Sequence, residues 1–277
     1  MDHSSNRAVE KEFLLREKYN GVKNSEYEAD VMRIENGEPL AYVIGFVPFL
    51  DCKIFLDSHP LIPRPETEFW VEKVIEKLKT ESWHPPRGLQ FVSNRFALGQ
   101  IGSLKAIQKP LRVLDLFAGS GCVGVALLKH IPDAQVDFGE IDTNHFSTIT
   151  KNIRENGIEE IRTAVIRTDV WDGITNLYDI VCANPPYLSE SRLNLIGPSV
   201  LAYEPKKALF ADEDGFALIR RLILKAGAHL NPKGLMYIEH EPEHAEMIQK
   251  CAKEHGFSAE NKQDQYGVLR YSVLSRF

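Results

Sequence analysis

The spacing of apolar positions changes period three times along the chain. Up to about residue 36 they recur at helical spacing, with Phe13, Leu14, Val31 and Ile34 as the apolar anchors of amphipathic helices. Between Gly37 and Pro65 the pattern shortens. Tyr42-Val43-Ile44-Gly45-Phe46-Val47 and Cys52-Lys53-Ile54-Phe55-Leu56 read as two short strands with a break at Pro48, which predicts a β-hairpin. Residues 67–78 return to helical spacing, with Phe69, Val71, Val74, Ile75 and Leu78 on one side. Residues 80–109 carry Pro85, Pro86, Gly88, Gly99 and Gly102 without a clear period. They read as an irregular insertion, with 103–107 as a short helical candidate.

From Leu111 onward, strands and helices alternate. Strands are predicted over 112–116, 135–141, 163–168, 178–183 and 234–239, and helices over 123–130, 144–156, 215–230 and 243–255. Such alternation predicts an α/β fold with a parallel sheet and right-handed crossovers. Residues 256–264 and 267–274 read as a closing β pair. The expected organisation is therefore a helical segment over 1–36, a linking hairpin over 37–66 and one large α/β domain over 67–277.

Composition narrows the function classes. The chain has 277 residues, 43% of them apolar, enough for one large core and a small appendage. Its net charge of −6 fits a basic protein partner at least as well as bulk nucleic acid, whose binders are usually basic. Cys52, Cys122, Cys182 and Cys251 form no C-x-x-C pair, so neither a disulfide framework nor a zinc knuckle is expected. No apolar run is long enough to span a bilayer. Asp2, Glu10, Glu12 and Glu17 make the first twenty residues a poor transit peptide: either none exists, or the chain starts after it.

Four motifs carry chemistry. Asp115-Leu116-Phe117-Ala118-Gly119-Ser120-Gly121 ends an apolar strand in an acid and opens a helix through small residues. Gly119 and Gly121 tolerate left-handed backbone and allow a ligand close to the chain. Phe117 stands where a dinucleotide fingerprint has its first glycine, so S-adenosyl-L-methionine fits better than a pyrophosphate. Alone, the motif is also compatible with an ordinary tight turn. Glu140 closes the next strand and is the expected acceptor for ribose hydroxyls, while Asp142 reads as a helix cap. Asp169 and Val170 follow the third strand, where they would meet the adenine. Last comes Asn184-Pro185-Pro186-Tyr187. Two prolines fix the backbone and hold Asn184 out of helical conformation. The result is a rigid row of acceptors that can bind an NH2 group and aim its nitrogen at a methyl donor, with Tyr187 as a flat face for a planar group. A fifth pattern, His240-Glu241-Pro242-Glu243-His244, matches a zinc-protease spacing. Pro242 prevents a continuous helix through both histidines, so no metal is expected.

Asn-Pro-Pro-Tyr by itself leaves amide and adenine nitrogens both open. Other segments resemble the HemK/PrmC family. They are Gly37-Glu-Pro39-Leu-Ala-Tyr42-Val-Ile-Gly45, Leu61-Ile62-Pro63-Arg64-Pro65-Glu66-Thr67-Glu68, and Tyr203-Glu204-Pro205 with Ala208-Leu209 and Asp214-Gly215. The resemblance implies a class I methyltransferase fold, Rossmann-like, with a mostly parallel seven-stranded sheet. It implies methylation of the side-chain N5 of the glutamine in the Gly-Gly-Gln motif of a class I peptide-chain release factor. It further implies that Arg64, Glu66 and Thr67 help close the cofactor pocket, and that Asn184 and Pro185 clasp the amide beside Tyr187. The chain departs from the family in its short N-terminal segment, the 80–109 insertion, Phe117, Val170 and Glu239-His240-Glu241. These departures suggest a divergent member, and the Ile62–Glu68 form, which resembles that of bacterial and organellar enzymes, implies a mitochondrial-type one; a cytoplasmic place is the alternative. The chain is expected to act as a monomer without stable nucleic-acid binding. The competing readings are an N6-adenine methyltransferase acting on DNA or RNA, which would need a basic groove, and a non-catalytic binding module.

Overall fold

A computed structural model describes residues 3–80, 89–92 and 105–277. Three N-terminal helices, α1 (His3–Glu17), α2 (Ser25–Glu35) and α3 (Leu40–Ile44), share a small core of Leu14, Tyr27, Val31, Ile34, Val43 and Ile44. Phe13, an expected anchor, is exposed instead. Next come β1 (Phe46–Phe49) and β2 (Cys52–Phe55), paired antiparallel, and then α4 (Pro65–Lys79).

Two expectations for the hairpin fail. Residues 42–44 are helical, not extended. Pro39 starts the turn, Gly45 ends it at φ 93°, and Tyr42, Val43 and Ile44 are all buried. That consecutive burial contradicts the alternation a half-buried strand would need. Pro48 does not break the strand either. It sits exposed in β1, opposite Lys53, in a two-stranded sheet where its missing N–H is tolerated.

The predicted helix over 103–107 is also overturned. Lys105–Gln108 is a strand, β4, paired antiparallel with β3 (Leu89–Val92). Residues 103 and 104 lie outside the described residues.

The large domain is built on a seven-stranded sheet. Its strands are β5 (Leu111–Leu116), β6 (Ala134–Glu140), β7 (Thr163–Arg167), β8 (Tyr178–Ala183), β9 (Leu230–Glu239), β10 (Phe257–Gln263) and β11 (Leu269–Arg276). The order is β10-β11-β9-β8-β5-β6-β7, and only β11 runs against its neighbours. This is the mostly parallel class I methyltransferase sheet that the sequence implied. Every residue of β8 is buried, as a strand covered on both faces requires.

Four further helices flank the sheet: α5 (Cys122–His130), α6 (Phe146–Glu155), α8 (Ala217–Ala226) and α9 (Ala245–Glu254). The hairpin, α4, α5 and α6 share one apolar cluster with Val113, Val136, Phe138 and Ile180. On the other face α8 and α9 pack with Leu116, Val181, Met236 and Leu274. A short helix not foreseen, α7 (Pro198–Tyr203), interrupts the connection from β8 to α8.

The hairpin is fastened to α6 by side-chain amides. Asn152 accepts from the Phe55 N–H at 2.7 Å and donates to the carbonyls of Phe55 and Ser120. Asn156 accepts from the Lys53 N–H and donates to the Lys53 carbonyl, each at 2.9 Å. These bonds join segments about a hundred residues apart, and Asn152 also reaches the turn after β5.

The chain order reverses between β5 and β8. After β5 the strands step outward to β6 and β7, then β8 returns to the other side of β5. In an open parallel sheet, a ligand crevice forms at the carboxyl ends of two such strands. Among the described residues, no helix is long and apolar enough to cross a membrane.

Candidate active site

The turn after β5 is tightly wound. Phe117, Gly119 and Gly121 have φ of 59°, 53° and 77°. The two glycines take this conformation without strain. A bulky residue there costs roughly 1–2 kcal/mol, and such strain gathers where a loop is held for a purpose. Phe117, Ala118, Gly119 and Ser120 line a pocket, together with Leu61, Pro63, Thr67, Asp115 and Asn184. Gly121 caps α5.

Glu140, buried at the end of β6, holds this turn in shape. Its Oε2 accepts from the Gly119 N–H and its Oε1 from the Asp142 N–H, both at 2.8 Å. A carboxylate has about four acceptor positions, so two remain. Asp142 caps the following turn by accepting from the Asn144 N–H at 3.0 Å, as its sequence position suggested.

Asp115 forms part of the pocket wall and accepts from the Gly124 N–H at 2.9 Å. Burial pushes its pKa up to about 8. Among the described residues lining the pocket are an acid and several apolar groups, but no Lys or Arg. A wall without cations is wrong for a pyrophosphate and does not repel a sulfonium or an ammonium group; Asp115, kept largely protonated at neutral pH by its burial, adds hydrogen-bonding capacity rather than charge. S-adenosyl-L-methionine therefore fits the residues present.

Asn184 follows β8 and lines the same pocket; Pro185 and Pro186 are buried behind it. The next residue is held from two sides. A Cβ on Gly215, whose φ is 90°, would stand 1.9 Å from the Tyr187 carbonyl oxygen. Only glycine allows the Asp214-Gly215 turn to press so closely on the loop. On the other side, the Tyr187 hydroxyl donates to Glu239 Oε1 at 2.8 Å. Burial, then the charge of Glu239, pushes the Tyr187 phenol well above its ordinary range, so it stays protonated as a donor.

Glu239 is the residue that sequence reasoning missed as a site group. It ends β9 and is 1% exposed. Its Oε2 accepts from Thr67 Oγ1 at 2.7 Å and from Trp70 Nε1 at 2.6 Å, both on α4. Thr67 Oγ1 in turn accepts from Asn184 Nδ2 at 3.3 Å. One buried carboxylate thus connects α4, β9 and both ends of the Asn184–Tyr187 loop. Burial raises its pKa above the usual carboxylate range. The available signal was an acid closing a central apolar strand, the same signal that identified Glu140.

The other candidates separate. Arg64 pairs with the buried Glu204 at 2.5 Å, and Glu204 also accepts from the Ile62 N–H at 3.1 Å. That pair shapes the Leu61–Arg64 stretch over the pocket. Glu66 is half-buried and does not line the pocket, whereas Thr67 does. Asp169 forms an ion pair with Arg221 of α8 at 3.0 Å. Val170 has φ 59° and is buried with Trp171, whose indole donates to the Leu222 carbonyl. Neither Asp169 nor Val170 lines the pocket.

The two histidines of the protease-like spacing are occupied elsewhere. His240 donates to the Glu241 carbonyl and meets Ser272 Oγ, and burial lowers its pKa to about 4. His244 donates to the Asp214 carbonyl at 2.9 Å, and Pro242 opens the turn before α9. Among the described residues, no group of three or more His, Cys, Asp or Glu could hold a metal ion.

Comparison with known proteins agrees with this geometry. The family model described as "Methyltransferase small domain" matches residues 100–201. A release factor glutamine methyltransferase of Thermodesulfovibrio yellowstonii is 32% identical over 86% of this chain and 77% of its own length. Another from Rhodopirellula baltica is 29% identical over 82% of this chain and 69% of its own. A ribosomal protein uL3 glutamine methyltransferase of Neisseria meningitidis is 36% identical over a shorter stretch, 46% of this chain and 41% of its own length. The matched stretch carries the Phe117–Gly121 turn and the Asn184–Tyr187 loop together, and with the extent of the first likeness it decides the assignment: the chain belongs to the release factor glutamine methyltransferase family.

Proposed function

We propose that this protein transfers a methyl group from S-adenosyl-L-methionine to the side-chain N5 of the glutamine in the Gly-Gly-Gln motif of a class I peptide-chain release factor. The observation that carries the reading is the rigid Asn184-Pro185-Pro186-Tyr187 loop beside a pocket lined by an acid and no base. The Asn184 amide nitrogen is committed to Thr67, which leaves the Asn184 side-chain oxygen as an acceptor for a substrate NH2 group. The Pro185 carbonyl is the second acceptor, and Tyr187 flanks the substrate side chain.

S-adenosyl-L-methionine, held by the Phe117–Ser120 turn, Glu140 and Thr67, would supply an electrophilic methyl on a sulfonium for transfer to the amide nitrogen, whose displaced proton would leave to water. The protein's part is alignment and charge placement. Tyr187 keeps its proton, so it orients rather than abstracts. Glu140 holds the turn after β5 and keeps acceptor positions for ribose hydroxyls. Arg64, through Glu204, and Thr67 close the pocket from above. Phe117, Ala118, Gly119 and Ser120 form its wall, and Gly121 caps the helix that follows; Asp169 and Val170 lie outside that wall. In an apolar wall of this kind, neutral groups make the better neighbours for a neutral amide nucleophile.

We read the chain as a mitochondrial-type member acting in mitochondria, a reading supported by the resemblance of its 61–68 motif to the form shared by bacterial and organellar enzymes. Release-factor recognition is read as protein–protein contact, with a monomeric enzyme and no stable nucleic-acid binding.

The test is mass spectrometry of a Gly-Gly-Gln release factor after incubation with enzyme and S-adenosyl-L-methionine. One methyl on the motif glutamine is expected. Ribosomal protein uL3, DNA and RNA serve as parallel acceptors; labelling confined to any of them would refute the substrate assignment. Calorimetry that detects no S-adenosyl-L-methionine binding would instead favour a non-catalytic module.

A further inference from the structure

An asparagine side chain is nearly symmetric in shape, and its two ends differ only in hydrogen-bonding sense. An amide acceptor site works in one orientation alone. The oxygen must face the substrate NH2; the reversed side chain would set donor against donor. The surroundings of Asn184 settle which way it points, through a chain of groups that runs from Trp70 by way of Glu239 to Thr67.

The chain starts at Trp70. Its indole N–H can only donate. It points at Glu239 Oε2 at 2.6 Å, so that oxygen must be an acceptor. The same oxygen meets Thr67 Oγ1 at 2.7 Å. Three donors, from Trp70, Thr67 and Tyr187, favour the ionised form of Glu239 against its burial, and in that form it takes the one hydrogen of the threonine hydroxyl. Toward any other neighbour Thr67 Oγ1 can then only accept. That neighbour is Asn184, which must present Nδ2, at 3.3 Å. Its Oδ1 is thereby turned away from Thr67. Thr67 and Glu239 are 1% exposed, so water does not compete for these positions. Tyr187, donating to the other oxygen of Glu239, joins the far end of the loop to the same carboxylate.

We infer that Thr67 and Glu239 are positioning residues that set the orientation of the Asn184 amide, so that its oxygen faces the methyl-accepting nitrogen. The inference rests on the amide-nitrogen reading given above. It assigns no contact with substrate to Glu239, which acts through Thr67 alone on Asn184.

The experiment uses the full chain and two substitutions, Thr67→Val and Thr67→Ser. Valine keeps the shape and removes the acceptor; serine keeps the hydroxyl. With release factor as acceptor, T67V is expected to lower kcat by about tenfold or more, the scale of one lost positioning hydrogen bond. T67S recovers most of the loss. Equal losses in both variants, or none in T67V, overturn the inference.

A second measurement needs no turnover. The Asn184 amide protons, identified as the side-chain pair missing from the NMR spectrum of N184A, should show a nuclear Overhauser contact to the Thr67 methyl group. Absence of that contact in the folded wild-type protein also overturns the inference. If the wild type does not methylate the release factor but the contact is present, the substrate reading fails while the relay stands.

Discussion

Glu140 and Glu239 occupy matching places and are held in opposite ways. Both are the last residues of parallel strands, β6 and β9, and both are buried. Glu140 is fixed by two backbone N–H groups close to it in space, from Gly119 and Asp142. Glu239 is fixed by three side chains, Thr67, Trp70 and Tyr187. The cofactor side of the crevice is thus shaped by main chain, which most substitutions leave alone. The acceptor side is shaped by side chains from three segments, each of which a single substitution can remove.

This contrast can be broken at several points. The largest effect is expected at Asn184. Asn184→Ala should cut turnover by about two to three orders of magnitude, the scale of a lost transition-state donor or acceptor, while S-adenosyl-L-methionine binding by calorimetry stays near wild type. Near-normal turnover would remove Asn184 from the acceptor side.

Next is stability at the two glutamates. Glu239→Ala leaves three buried donors without partners and should lower the unfolding free energy in urea by about 3 kcal/mol. Glu140→Ala frees two backbone donors beside an open pocket, which water can satisfy, and should cost about 1 kcal/mol. Equal costs would erase the distinction.

A third effect depends on pH. The folded pKa of Asp115, about 8, lies above the ordinary 3.8. Between about pH 4 and pH 8 the folded chain holds a proton that the unfolded chain releases, so this group's contribution to stability falls as pH rises. Asp115→Asn keeps an acceptor for the Gly124 N–H and removes the titration. The stability difference, variant minus wild type, should grow with pH across that window, with a slope of up to about 1.4 kcal/mol per pH unit. A difference that stays flat would place Asp115 outside the low-dielectric wall.

The smallest effect is expected at Phe117. Removing a half-buried phenyl costs about 1–2 kcal/mol, and relief of its left-handed backbone returns a similar amount. Phe117→Gly should therefore unfold within about 1 kcal/mol of wild type, as a loop governed by main chain would. A loss of several kcal/mol would show that the ring, not the backbone, holds the turn.

The same contrast explains what the sequence could reveal. The β5 turn, Glu140 and the Asp142 cap are legible because their partners lie within a few residues or at the same relative place on the next strand. The helix over 67–78 was also legible, but its inward residue of consequence, Trp70, was not among the expected apolar set. The bonds that organise the acceptor side join positions 117 and 172 residues apart, Asn184 to Thr67 and Thr67 to Glu239. No local period encodes them. Asp169 shows the converse: its motif position suggested a ligand group, yet its ion pair is with Arg221, a residue of no recognisable motif. The turn over 42–44 was misjudged because its β-branched and aromatic residues favour strands, and tertiary burial of all three outweighed that preference.

Asn152 and Asn156 have a consequence for how such chains can diversify. Both amides spend both of their ends on the hairpin's main chain, and Asn152 adds the Ser120 carbonyl beside the cofactor turn. Hairpin and α6 are therefore a single heritable unit, although β3, β4 and most of the crevice lie between them in the chain. A recombinant that brings the hairpin from one relative and α6 from another keeps its fit only when both parents carry amides at these two positions. Exchange of the three N-terminal helices, whose small core is separate, is free of that constraint.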